Sequence, residues 1–310
     1  MDFELKQYSK AARETAKNLR IIDDTLFRLM AKNKKVCQEI LRILLDMPEL
    51  IVIRSDAQYT ITSLHREIII DAFCILKDGS YCNIEMQKSD SNDDIGRVRF
   101  HASTMTANLT PKGTDFDNVP DVKIVYLTEY DALNSGQTIT HVTRCMRLSD
   151  GRYVPVNDGE DIYFANTCVD DKTDKAELMK LMLRRDVFYN EKFPAISDSI
   201  NYYKRTKGGL NKMCKAVEEY AQSVAQMATA EANKRAEEAN KKAQAANKKA
   251  EAANKKAEEA NKKVEEADKK ANETIKNLLS AGKLSIEEIA DAVSEPVDKI
   301  KAIAEKMNKK

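Results

Sequence analysis

The sequence predicts an α/β protein with a mixed central β-sheet flanked by helices, followed by a long C-terminal helical segment of heptad repeats. Three observations predict it. Apolar residues at helical spacing over 21–47 are followed by strand-like runs, another helix and a buried strand at 122–128, the order of a compact α/β unit. Residues 66–87, REIIIDAFCILKDGSYCNIEMQ, hold two apolar runs around Asp78-Gly79, a β-hairpin signal. From Glu231 the chain repeats every seven residues, EANKRAE, EANKKAQ, AANKKAE and onward.

Bulk properties narrow the class. The chain has 310 residues, 42% of them hydrophobic, enough for one or two domains with a real core. Ile, Leu, Val, Phe and Tyr concentrate before residue 220, while Ala, Lys, Glu and Asn fill most of 230–272. A formal net charge of +1 excludes a polycation and leaves room for a local basic patch. The six cysteines form no CxxC pair, so reduced, scattered thiols are expected rather than a zinc site or a disulfide framework. There is no N-terminal apolar leader and no apolar run near 18 residues, so a cytoplasmic protein with no membrane partner is the expectation.

The elements follow in order. Residues 1–20 are polar and suit an exposed arm or short helix. Ile22, Phe27, Leu29, Val36, Ile40, Leu41, Leu44 and Leu45 predict a turn-interrupted helix or two helices, ended by Pro48. LIVI at 50–53 and YTIT at 59–62 are short strands, and the hairpin covers about 67–76 and 80–87. Asp90 to Asp94 supplies polar starting signals for a helix reaching about Asn108, and VKIVYLT at 122–128 is a buried strand. Residues 131–168 are of mixed polarity with a strand-like DIYFAN, and 173–190 and 196–220 are helical.

In the heptads, Ala232, Ala236, Ala239 and Ala243 begin a seam of alternating four and three spacing, the pattern of a coiled coil. Glu precedes Lys or Arg by four residues in pairs such as Glu231–Arg235 and Glu237–Lys241, each adding about 0.2–0.5 kcal/mol to a helix. An alanine seam is weak glue, because truncating Leu to Ala at a buried contact loses a few kcal/mol. Weak self-association through 221–275, packing on its own protein, a solvated single helix and a partly disordered linker are the open readings. In the last 30 residues, Ser285 and Glu288 form a capping-box pattern ahead of two short amphipathic helices. These read as a helical hairpin capping the stalk, or as a helix-turn-helix offering Lys299, Lys301 and Lys306 to DNA.

The hairpin carries the chemistry. Asp71 sits inside its first apolar strand and Glu85 near the end of its second, and a charge buried alone is costly. Strict alternation puts Glu67, Ile69, Asp71, Phe73 and Ile75 on one face, and Tyr81, Asn83, Glu85 and Gln87 on one face of the partner strand. A hairpin centred near Asp78-Gly79 sets Asp71 opposite Glu85 within about one residue. Adjacent carboxylates repel unless one is protonated or a cation lies between them, and oxygen ligands suit Mg²⁺ or Mn²⁺. Such a metal positions and activates water and stabilises charge on a phosphate being cleaved. Gln87 is no base, but its amide orients water or a phosphate oxygen. Glu39, on the preceding helix, is a possible additional acid, its plain alternative being a solvent-exposed helix residue. Arg97 and Arg99 on the following helix are possible DNA-phosphate contacts, and His101 a minor candidate for a base.

Asp71, a 14-residue gap and Glu85-x-Gln87 inside NIEMQ resemble the PD-(D/E)XK nuclease superfamily. More narrowly, with DDTLFRLM at 23–30, RVRFHAS at 97–103, DVKIVYLTEY at 121–130, KGGLNKMCKAVEEY at 207–220 and GKLSIEEIADAVSEPVDKI at 282–300, the chain resembles the Rpn family of recombination-promoting nucleases, also labelled transposases. The resemblance implies a restriction-endonuclease-like core and a metal-dependent DNA endonuclease. Asp71 and Glu85 would be metal ligands, and Gln87 would stand where Lys is usual. Ile70 replaces the proline before the Asp of the motif. The domains expected are an arm at 1–20, a nuclease-like domain at 21–220, the heptad helix at 221–275 and a small helical hairpin at 276–310. The alternatives are a nuclease-fold DNA- or protein-binding assembly protein that has lost turnover, with the long helix as its stalk, and a pure coiled-coil scaffold.

Overall fold

The computed structural model describes residues 7–62, 67–89 and 94–308. Arg66 and the helix-start signal at 90–93 lie outside the described residues. The chain divides into two compact units, Met1–Ala225 and Gln226–Lys310.

The first unit begins with α1 (Lys10–Asn18), whose N-terminus is capped by the Ser9 side chain accepting the Ala12 N–H. It buries Ala12 and Ala16, so this stretch is part of the core rather than an exposed arm. Helices α2 (Asp24–Met30) and α3 (Lys34–Leu44) follow, separated at Asn33, whose side chain caps α3. The i, i+4, i+8 spacing of Val36, Ile40 and Leu44, with Cys37 and Leu41 beside them, gives α3 one fully buried face. The two short strands expected at 50–53 and 59–62 are one strand, β1 (Val52–Ile61).

The hairpin is β2 (Ile68–Leu76) and β3 (Tyr81–Gln87), closed by Gly79 at φ 90°. The Asp78 side chain accepts the Ser80 N–H in that turn. After α4 (Asp94–Leu109) the chain returns as β4 (Val122–Thr128), every residue of which is buried, as a near-continuous apolar run demands. Strand β5 (Ile139–Val142) and the small hairpin β6 (Cys145–Arg147) and β7 (Tyr153–Pro155) precede β8 (Glu160–Asn166). The six-stranded sheet runs β1-β2-β3-β4-β8-β5 and is mixed: β3, β4 and β8 are parallel neighbours and the other pairings antiparallel.

Helix α5 (Asp174–Met182) is shorter than the 173–190 expected, and the helix expected at 196–220 is two, α6 (Pro194–Arg205) and the start of α7 (Lys207–Ala281). The break falls at Thr206, and a Cβ on Gly209 would lie 2.1 Å from the Tyr202 carbonyl oxygen. Only glycine allows α7 to start this close to α6.

The sheet separates two apolar layers. One joins α1, α2, α3, α5, α6 and the start of α7 to Ala72, Cys74, Ile84 and Val125. The other packs α4, through Val98, Ala102 and Met105, on Phe73, Ile124 and Tyr126. Ile68 and Ile70 lie in this second layer together with Phe73 and Ile75, while Ala72 and Cys74 lie in the first. The strict alternation expected across Asp71 is therefore broken there. Asp71 stands at the gap in the β1–β2 register opposite Gln58, which adopts φ 54°. An irregularity of this kind re-aims a side chain out of the regular pleat.

In the second unit every residue of α7 from 226 to 270 is exposed. At its C-terminal end, Ile275 joins Ile289 of α8 (Ile286–Val293) and Ile300 of α9 (Val297–Asn308) in a small core. The two tail helices thus pack as a three-helix cluster with the end of α7. The Ser285–Glu288 capping box is present. All six cysteines are free, Cys145 and Cys168 exposed and the others buried.

Candidate active site

The break in β2 delivers Asp71 to a crowded place. Its carboxylate is buried; Oδ2 accepts the Met86 N–H at 3.0 Å and Oδ1 accepts Arg28 Nε at 3.3 Å. The β2–β3 ladder runs to Ala72↔Ile84, so Asp71 and Glu85 come next in register, and the Asp71 side chain takes the Met86 N–H just past the last pair. Arg28 also approaches Asp24, with Nη2 3.7 Å from Oδ2. Burial pushes the Asp71 carboxyl up to about 6, and the charge of Asp24 adds to it, against the pull of the Met86 N–H and Arg28.

Glu85 lies beside it on β3. Burial, and then the negative charge of Asp71, hold its carboxyl well above the usual range. Its Oε2 is buried without a hydrogen-bond partner among the described residues, and His101 Nδ1 of α4 stands 4.0 Å away. Asn83, fully buried on the same strand, is 3.4 Å from the same His101 nitrogen. Helix α4 is held here by Asp94, whose Oδ1 accepts the hydroxyls of both Tyr126 and Tyr130 at 2.8 Å.

Gln87 is turned away from the carboxylates, its Nε2 donating to the Ser89 carbonyl at 2.7 Å. Lys88 reaches Asp23 Oδ1 at 3.0 Å, and Arg20 forms a two-pronged bond with Glu129 while also gripping Asp23. This network ties the ends of β3 and β4 to the start of α2 and so fixes Asp24 near the acids of the hairpin. Arg97 and Arg99 line a groove of about 770 Å³ with Glu85, Ile69, Phe100 and His101. Arg97 has interactions within the chain; Arg99 is exposed.

Glu39 is elsewhere. Its Oε1 accepts the Ala195 N–H at 2.7 Å and its Oε2 the Ile196 N–H at 2.9 Å, which caps the start of α6. Burial raises its carboxyl and these two bonds oppose the rise. The acid that joins Asp71 and Glu85 from the helical layer is Asp24, one element earlier. Its signal in the sequence is Asp24–Arg28 at i,i+4 within DDTLFRLM.

The donor set fits a hard divalent cation. Asp71 and Glu85 repel one another, Glu85 Oε2 is unpartnered among the described residues, and both side chains offer oxygen donors. Among the described residues no cluster of three or more His, Cys, Asp or Glu side chains is disposed to hold a metal. Asp71 and Glu85 alone would leave most of the shell of such an ion to water and substrate phosphate, as is common for Mg²⁺. No helix among the described residues is long and apolar enough to cross a membrane.

Compared with known proteins, the chain matches no curated protein and no solved structure. Residues 23–154, a stretch that takes in Asp24, Arg28, the whole hairpin and α4, match the family model of the PD-(D/E)XK nuclease family transposases, to which this part of the chain is similar.

Proposed function

We propose that the chain is a DNA endonuclease dependent on Mg²⁺ or Mn²⁺, hydrolysing phosphodiester bonds with Asp71 and Glu85 as metal ligands. The observation that carries this reading is the pairing of two acids from adjacent strands, both raised by burial, one of them with an unsatisfied oxygen. A bound divalent ion supplies charge stabilisation at the phosphate and a water acidified for attack. The chain's own residues do the rest. Asp24 adds a third negative charge on the helical side, and the groove with Arg97 and Arg99 receives the phosphate backbone. Asn83 and His101 flank Glu85 on the α4 side. Gln87 orients water or a phosphate oxygen once its amide leaves Ser89. On this reading the chain takes an Rpn-type role, cutting DNA in a way that promotes recombination in the cytoplasm.

The test is a supercoiled-plasmid assay with Mg²⁺ or Mn²⁺. Wild type nicks the plasmid, and Asp71→Ala or Glu85→Ala loses nicking on the order of a thousandfold. Cleavage that survives both changes would sink the proposal.

A second reading is supported by Gln87 and α7. Gln87 brings no positive charge to the acids, and the heptad helix exposes its alanine seam throughout 226–270. On this reading the chain is a nuclease-fold DNA- or protein-binding assembly protein that self-associates through 221–275. Metal-independent DNA binding with no cleavage by wild type would favour it.

A further inference from the structure

Arg28 is a cation seated between two acids of the site, Asp71 and Asp24, and the motif gives it no role. Its guanidinium bonds Asp71 through Nε and faces Asp24 through Nη2. A divalent ligand set that must be empty of protons to bind metal is here held by a positive charge from the protein itself. The side chain is about a quarter exposed, because it also borders a second cavity of about 360 Å³. That cavity shares no lining residue with the α4 groove and is lined by Thr25, Lys32, Gln58, Glu219 and Tyr220 among others. It gives the guanidinium somewhere to go, toward the Glu219 carboxylate, which also faces Lys215 Nζ at 3.6 Å.

We infer that Arg28 is the resident counter-cation of the carboxylate site: it neutralises Asp71 and Asp24 when no metal is bound, and a divalent ion must displace it into the neighbouring cavity. The inference rests on the metal-site reading above. It makes Arg28 a positioning residue that sets how tightly the site takes its ion. Arg28 and the ion would share the Asp71 carboxylate, and two like charges at that range repel until the weaker-held one moves.

The experiment is Mn²⁺ titration calorimetry on the full chain at neutral pH, with thermal melts in chelator and in excess Mn²⁺. Arg28→Gln is expected to bind Mn²⁺ about tenfold more tightly than wild type, the scale of one close charge pair. In chelator it is expected to melt lower than wild type, because the buried Asp71 and the partly exposed Asp24 lose their counter-charge, and Mn²⁺ then raises its melting temperature by more. Arg28→Met, which keeps the packing of the stem, gives the same result should the glutamine variant not fold. Arg28→Lys keeps the charge and stays within about threefold of wild type. Equal or weaker Mn²⁺ binding by a folded Arg28→Gln or Arg28→Met overturns this inference alone, as does a tenfold gain in Arg28→Lys. Absence of Mn²⁺ binding by wild type and variants alike overturns the metal-site reading and this inference with it.

Discussion

The unit up to Ala225 and the heptad stretch from 226 to 270 are built on opposite rules. In the first, two helical layers and a six-stranded sheet make each position different from its neighbours. Asp71 and Glu39 are both inward-facing carboxylates, yet one meets a guanidinium and a second acid while the other caps a helix. In the second, near-identical repeats all stand in solvent and no position has an environment of its own. Burial is what makes residues chemically unequal, and the candidate chemistry is confined to the region where burial varies.

The largest effect expected from breaking this contrast is on stability. Phe27, fully buried under the sheet, loses about 3–5 kcal/mol on Phe27→Ala. Val264, the one branched residue of the exposed seam, changes stability by no more than about 0.5 kcal/mol on Val264→Ala. Denaturant melts of the two variants check this. A loss at Val264 comparable to that at Phe27 would mean that the heptad helix is buried against a partner in solution.

A smaller effect concerns pH. In the metal-free chain Asp71 is raised from 3.8 to about 6, and Glu85 is raised too. The folded state therefore holds more protons than the unfolded chain between these values, and the stability they contribute is complete below the unfolded pKa and lost as pH rises through the folded one. The stability of wild type relative to Asp71→Asn falls from about pH 4 to about pH 7, by at most about 3 kcal/mol. Melts in chelator across that range measure it, and a flat difference would place Asp71 outside its crowded, desolvated position.

The smallest effect is at the tail. Ser285→Ala removes the capping box of α8 and costs the three-helix cluster about 1 kcal/mol. Hydrogen exchange at Ile289 and Ala290 reads it locally, with no change at Ile84 or Val125 in the sheet.

Much of this was legible in the sequence for stated reasons. The Asp78-Gly79 signal located the hairpin, continuous apolar character located β4, and S-x-x-E located the start of α8. These are local signals: a turn, a period, a cap. What escaped was non-local. The flip of face at Asp71 depends on Gln58 in the neighbouring strand, and no alternation rule within one strand contains it. Glu39 and Asp24 both lie on the helical layer ahead of the hairpin, and sequence spacing does not say which helix face meets the strand ends. The Arg20–Glu129 and Lys88–Asp23 bonds, which settle it for Asp24, join elements far apart in the chain. The join of β1 across 54–58 and the split of the last helices at Thr206 were missed for the same reason, since each is decided by a partner element.

The central claim is that Asp71, and not the half-buried Glu39 of α3, serves the cleavage chemistry. It is tested most directly by the initial rate of Mg²⁺-stimulated plasmid nicking for wild type, Asp71→Asn and Glu39→Gln, each shown to be folded. The account predicts loss of nicking on the order of a thousandfold for Asp71→Asn and a rate within about threefold of wild type for Glu39→Gln. Equal rates for Asp71→Asn and wild type, or a collapse of rate in folded Glu39→Gln alone, would contradict it.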